Sequence, residues 1–513
     1  MDTDMKKFRA TLAFILLLAM LLLPSCAAGM GGGAMDGDMM NNAPTGNYPG
    51  IGMPEGEIGS GNNYTEIVEN EFIKASETAS SYFSIDANTS SYPNLRSLIN
   101  GGLTIDKDAV RIEEMLNYFS YDYAAPEGDG ILALTSSVFD NPYNPETKLL
   151  TIGLAAREVE FTSQRSNLVF LIDVSGSMFG SDRLGLVQQA FMMLTENLGD
   201  NDRVSIVTYA GSDRVALEGA YGKDKAAIMA VIEDLQAGGS TAGADGINTA
   251  YALAERYFIE GGNNRVILAT DGDFNVGVSG TRELESLIKN KRESGVYLSV
   301  FGVGNGNYQA EKMEALALNG NGTYSFLDSV AEARRALVEQ IGGTILTVAK
   351  DVKAGITFNA DYIDSYRLVG YENKLMSEDE FNDSAKDAGE LGSGHTVTVV
   401  YELKLTDKAL EDGNLAEVII RYKPTENSGG LSDQSSELTL GVEVSDYHSA
   451  PNANDAFVAS VVEFALILRD SKFKGNADLN ALISRLDDLD LSSDQFKAEF
   501  RELVKLYRHN TEG

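Results

Sequence analysis

The chain has 513 residues, with 41 Lys and Arg against 76 Asp and Glu, a formal net charge of −35 and 43% hydrophobic residues. That excess of acid excludes a nucleic-acid partner, whose phosphates need a basic patch, while the apolar content suffices for roughly two to four domains. With Cys26 as the single cysteine no internal disulfide can form, so stability must come from the core and from any bound metal.

Lys6, Lys7 and Arg9 precede an almost wholly apolar run from Ala10 to Leu23. This run is too short to cross a bilayer as a helix but suits the core of a signal peptide. It ends in Leu23-Pro24-Ser25-Cys26, which looks like a bacterial lipobox. Residues 1–26 are therefore expected to direct export. Cys26 is expected to carry lipid and to anchor the chain to the outer face of a membrane in the bacterial cell envelope. Several acyl chains anchor stably where one does not. Residues 27–63 are rich in Gly, Met, Asn and Pro without apolar periodicity, and read as a flexible tether reaching about 30–36 Å.

Residues 64–166 form the next unit. Tyr64–Lys74 has the pattern of a short amphipathic helix, Tyr82–Tyr92 of a strand with a polar turn, and Asn94–Asn100 and Val110–Phe119 of helices. Ile131–Asp140 and Lys148–Ala156 alternate as strands around the turn Asn141-Pro142-Tyr143-Asn144-Pro145.

Residues 167–342 alternate strand and helix cleanly. Strands are expected at Leu168–Asp173, Arg203–Tyr209, Val215–Leu217, Arg265–Thr270, Val296–Val303 and Thr323–Phe326. Helices are expected at Asp182–Leu198, Lys223–Gln236, Gly243–Phe258, Thr281–Ser294, Tyr308–Asn319 and Val330–Ile341. Such alternation specifies an α/β fold with a doubly wound, mostly parallel sheet. Ligands bind at strand ends in such sheets. At one strand end stands Asp173-Val174-Ser175-Gly176-Ser177, where i, i+2 and i+4 of an extended segment share a face. Gly238-Gly239-Ser240-Thr241 precedes one helix, and Thr270-Asp271-Gly272 follows another strand. Oxygen donors alone suit a hard cation such as Mg²⁺, with Mn²⁺ or Ca²⁺ as alternatives.

The five residues Asp173, Ser175, Ser177, Thr241 and Asp271 resemble the metal-ion-dependent adhesion site of von Willebrand factor type A (VWA) domains, which are Rossmann-like. The resemblance implies that the two Ser and the Thr bind the ion directly and the two Asp act largely through water. It also implies that an Asp or Glu of a protein partner completes the shell, and that ligand binding can shift the last helix, Val330–Ile341.

Residues 343–513 return to strands, at Ile356–Phe358, Tyr366–Tyr371, Thr396–Leu405, Ala416–Tyr422 and Leu438–Val444, and then to helices. Phe457–Leu468 is apolar nearly all round and reads as a buried helix, while Leu479–Leu486 and Phe496–Tyr507 are amphipathic. A two-strand unit is not stable alone. The strands on both flanks are therefore expected to form one β-sandwich into which the VWA domain is inserted. The runs Asp108–Phe119, Tyr366–Asn373 and Asp387–His395 resemble the flanking domains of a bacterial VWA lipoprotein family. An adhesive or scaffolding role follows from that resemblance. A metal-dependent envelope hydrolase and a purely structural metal remain alternatives, although His395, His448 and His509 are the only histidines and none lies in the middle domain. The sequence names neither the partner nor the oligomeric state.

Overall fold

The computed structural model describes residues 62, 64–85, 87–160, 165–239, 243–272, 281–304, 309–408, 410, 412–429 and 435–512. The signal sequence, Cys26 and the tether, apart from Asn62, lie outside the described residues.

The middle domain is built on one six-stranded sheet. Its spatial order is Tyr324–Leu327, Tyr297–Val303, Asn263–Thr270, Ser166–Asp173, Arg203–Tyr209 and Asp213–Tyr221. All neighbours run parallel except the last pair, where Asp213–Tyr221 returns antiparallel along the edge. The inner strand Ser166–Asp173 is buried along its whole length, as a near-continuous apolar run demands when helices cover both faces. Leu168, Phe170 and Ile172 point into one core with Val187, Phe191, Ile228 and Leu337, while Val169 and Leu171 point into the other with Ile247, Tyr251, Ile288 and Leu316.

The flanks form a sandwich of two sheets. Lys148–Ala156, which precedes the middle domain, pairs with Thr396–Leu405, which follows it. Ser80–Ser84 likewise pairs with Thr347–Phe358. Strands far apart in sequence thus complete each other, and their inner faces share one core containing Phe83, Ile152, Ile356, Tyr401 and Val418. The chain leaves and re-enters the sandwich at one place, where the Val159 N–H donates to Ser393 Oγ at 2.6 Å and the Ser393 N–H to the Leu346 carbonyl at 2.8 Å. The doubly wound domain is therefore an insertion in a β-sandwich.

A helical layer covers the outer face of one sheet. Ala453–Leu468 is buried nearly all round, capped by Asn452 accepting from the Asp455 N–H, and it packs with Ser91–Asn100, Ile112–Asn117, Leu479–Asp488 and Gln495–Glu512. Among the described residues no helix is long and apolar enough to cross a membrane.

The expected strand Tyr82–Tyr92 is confined to Ser80–Ser84, because Ser91 and Tyr92 already belong to the helix Ser91–Asn100, and two further expected elements differ in kind. Tyr64–Lys74 is not a helix: it runs non-helically and only Ile73–Lys74 forms a strand. Tertiary partners claim its polar groups, since the Ile67 N–H donates to Asp108 Oδ1 at 2.9 Å and Asn70 Nδ2 to the Leu368 and Gly370 carbonyls at 3.1 and 2.8 Å. Val330–Ile341 is not one α-helix either. Val330–Arg334 is followed by a π turn at Arg335–Glu339 and a short helix at Ile341–Ile345. The widened turn coincides with Arg335, whose guanidinium is engaged by Glu332 Oε1 at 2.8 Å and Gln340 Oε1 at 2.5 Å.

Candidate metal centre

In the central sheet the chain starts in the middle, at Ser166–Asp173, and its connections run outward to Arg203–Tyr209 on one side and later to Asn263–Thr270 on the other. Where the winding reverses, the loops part and leave a crevice above the carboxyl ends. Asp173 ends one of these adjacent strands and Asp271 directly follows the other, so the reversal itself brings the two carboxylates together.

Asp173 is wholly buried. Its Oδ1 accepts from the Ser175 N–H at 2.8 Å and its Oδ2 from Thr270 Oγ1 at 3.3 Å. Burial, reinforced by the nearby Asp271 charge, pushes the Asp173 carboxyl up to about 6, against hydrogen bonds from Ser175 and Tyr209. Ser175 is extended, but Gly176–Met178 then closes into a 3₁₀ turn. Ser177 is therefore brought round by that turn and not by the alternation of an extended segment. The result is the convergence expected, with Ser175 Oγ and Ser177 Oγ 2.9 Å apart.

The glycine-rich loop docks on this turn through its backbone. The Gly238 N–H donates to the Val174 carbonyl at 2.7 Å, and the Gly176 N–H to the Gly239 carbonyl at 3.1 Å. Gly239 has φ +87°, a conformation in which a side chain would be strained. Thr241 stands two residues beyond and lies outside the described residues. Arg183 Nη1 donates to the Ser177 carbonyl at 2.6 Å and holds the turn from the other side.

Four of the five expected residues are thus gathered at one crevice. The donor set fits a hard cation. Two carboxylates approach in a buried place that disfavours the Asp173 charge, two hydroxyls converge beside them, and every donor is an oxygen. Among the described residues no group of three or more His, Cys, Asp or Glu could hold an ion, so an ion at this crevice would need hydroxyl ligands. The structure adds residues that the motif did not single out. Thr270 orients Asp173, Tyr209 lies beside it, and Arg183 holds the Ser177 backbone. Thr270 had a visible signal, since it adjoins Asp271 at a strand end; Tyr209 and Arg183 reach the site only through folding.

Fold and site together define a VWA-domain protein, a class whose fold is of the protein-interaction type. Residues 167–340 match the family model for the von Willebrand factor type A domain, residues 59–151 a model described as von Willebrand factor, and residues 343–509 a model described as "Uncharacterized protein YfbK, C-terminal". The Escherichia coli (strain K12) protein described as "Uncharacterized protein YfbK" is 36% identical over 469 residues, covering 86% of this chain and 80% of that protein. The chain belongs to this bacterial VWA family, with the family's own N-terminal and C-terminal flanking domains. Human inter-alpha-trypsin inhibitor heavy chain H3 is 24% identical over 280 residues, covering 50% of this chain and 31% of that protein. Among solved structures, a von Willebrand factor type A protein from Catenulispora acidiphila is 16% identical with a TM-score of 0.40, covering 77% of this chain and 89% of that one.

Proposed function

We propose that this chain is a lipid-anchored protein of the bacterial cell envelope that binds a protein partner through a divalent cation. The cation is Mg²⁺, with Mn²⁺ or Ca²⁺ as alternatives, held by Asp173, Ser175, Ser177, Thr241 and Asp271, and the role is adhesive or scaffolding. The observation that carries this reading is the pair of serine hydroxyls, 2.9 Å apart, beside a buried carboxylate at the winding reversal. When bound, the cation supplies a Lewis-acidic position that an Asp or Glu of the partner can fill. Ser175, Ser177 and Thr241 offer neutral oxygens and leave charge for that carboxylate. Asp173 is fixed by Ser175 and Thr270, and with Asp271 it holds water and hydroxyls in place, as outer partners of a metal do. Phe179, 81% exposed on the same loop, offers an apolar anchor next to the charge-based contact.

A hydrolase would use the same ion to activate water, and a structural metal would only tie the loops together. One experiment separates the three. Partner capture by the purified protein is measured in Mg²⁺ and in EDTA, beside a broad panel of hydrolase substrates. Capture lost in EDTA, and in Thr241→Ala and Asp271→Ala with the fold intact, supports binding. Turnover lost in those variants replaces this reading with the hydrolase, and a change in stability alone replaces it with the structural metal. For the anchor, Cys26→Ser should move the protein from the membrane fraction to the soluble one; retention in the membrane fraction refutes lipidation at Cys26.

A further inference from the structure

A cavity of about 400 Å³ opens where the helix Ala310–Asn319 and the start of the strand Tyr324–Leu327 face the sandwich segments at Asn373–Lys374 and Glu390. None of the metal-centre residues lines it.

Two buried ionisable side chains stand at this cavity, one in its lining and one behind its wall. Glu390 lines the cavity, is 5% exposed, and has its Oε2 without a hydrogen-bond partner. Its backbone is fixed by the short strand Gly389–Gly392 pairing with Thr347–Phe358, so the carboxyl cannot swing out to water without disrupting that pairing. Arg265 is fully buried. Its Nη1 donates to Ser299 Oγ at 2.7 Å, while Nε and Nη2 have no partner. It sits directly behind the lining residue Gly322, where a Cβ would lie 3.0 Å from Nη1. Glu390 and Arg265 feel each other's charge, yet form no ion pair among the described residues. Buried polar atoms left unpaired are costly and rare, and a ligand that hydrogen-bonds to them removes that cost.

The lining selects the ligand's chemistry. An anion would meet Glu314 and Glu390, and a cation would meet Lys374. Lys374 Nζ already lies 3.9 Å from Glu314 Oε2, so those two charges offset each other and leave Glu390 as the remaining acid of the wall. Burial also holds the Glu390 carboxyl well above the usual carboxylate range, which favours a neutral neighbour. Ala315 and Leu318 add an apolar strip on the same side. A hydroxyl-rich, uncharged molecule with C–H faces satisfies all of these at once. We propose that this cavity binds a neutral polyhydroxylated small molecule, a saccharide of one or two units, through Glu390.

The test is ligand-observed saturation-transfer NMR and calorimetry on the full chain. The probes are glucose and N-acetylglucosamine as neutral polyols, spermidine as a cation and citrate as an anion. The neutral sugars are expected to bind in the millimolar range, with affinity weakened about tenfold in Glu390→Leu by loss of one buried hydrogen bond. Binding should disappear in Ala315→Phe, which fills the cavity from a half-buried position and guards against a folding defect at Glu390. Asp271→Ala should leave sugar binding unchanged, which keeps this test separate from that of the metal centre. Binding of spermidine or citrate but not of sugars overturns the proposal. So does no binding at tens of millimolar, or sugar binding that both cavity variants leave intact.

Discussion

Glu332 tests how the middle domain is tied to its flanks. It is 1% exposed, and its Oε2 accepts from Arg96 Nη2 at 2.8 Å and from the Tyr118 hydroxyl at 2.7 Å, while Oε1 accepts from Arg335 Nε at 2.9 Å. Arg96 comes from the helix Ser91–Asn100, so one carboxylate joins the last helix of the VWA domain to the N-terminal flank. In Glu332→Gln two buried guanidinium groups lose their shared counter-charge. Breaking a buried pair costs about 3–5 kcal/mol. Arg96 keeps Asp328 at 2.6 Å and Arg335 keeps Gln340, so the lower end, about 3 kcal/mol, is expected. The assay is urea unfolding followed by far-ultraviolet circular dichroism, since the chain has no tryptophan. Glu499→Gln is the control, because that partner of Arg96 is 44% exposed and its loss should cost less than about 1 kcal/mol. The pH dependence follows. Burial opposes the Glu332 charge, but Arg335 and Arg96 outweigh it and hold the carboxyl below the usual glutamate range. A depressed carboxyl stabilises the fold fully above its unfolded value, about 4.3, and that contribution fades as pH falls through the folded value. The gap between the wild-type chain and Glu332→Gln should therefore narrow in acid. A Glu332→Gln loss no larger than that of Glu499→Gln would refute the buried-link argument.

Three further outcomes are expected. Phe170→Ala removes a ring stacked on Phe191 at 4.3 Å between fully enclosed neighbours, and should cost about 3–5 kcal/mol in the same unfolding assay. Gly302→Ala places a methyl group 2.6 Å from the Tyr324 hydroxyl and should cost about 1–3 kcal/mol, part of which Tyr324→Phe in the same chain should restore. Thr270→Val keeps the shape but removes the hydrogen bond to Asp173, and should weaken Mg²⁺ affinity about 10–100-fold in calorimetry, with Thr270→Ser recovering it.

The middle domain was legible because its periods are clean. Apolar strands such as Ser166–Asp173 and Asn263–Thr270 alternate with amphipathic helices, and the fold buries what the pattern marks. The sandwich was legible as strands but less so in extent. Thr347–Phe358 runs nine residues earlier than its apolar end suggests, because Lys350, Asp351 and Lys353 interrupt the hydrophobic signal. Lys353 is nonetheless buried, its ammonium donating to the Glu380 and Asp383 carbonyls, an arrangement that only the folded chain creates. Gly389–Gly392 carries no strand propensity and pairs only because Thr347–Phe358 is there to receive it. At the proposed metal centre the residue types and strand ends were readable, Thr270 among them, whereas the 3₁₀ turn at Ser177 and the approach of Tyr209 and Arg183 were not. Those depend on which strand ends become neighbours in space.

The central claim is that these strand-end oxygens hold a divalent cation, and titration of Mg²⁺ into the metal-free full chain tests it most directly. One saturable site is expected in the wild-type chain. It should be lost in Ser175→Ala and Asp271→Ala while their circular dichroism stays unchanged. No binding in the wild-type chain, or a site of equal affinity in both variants, would contradict the account.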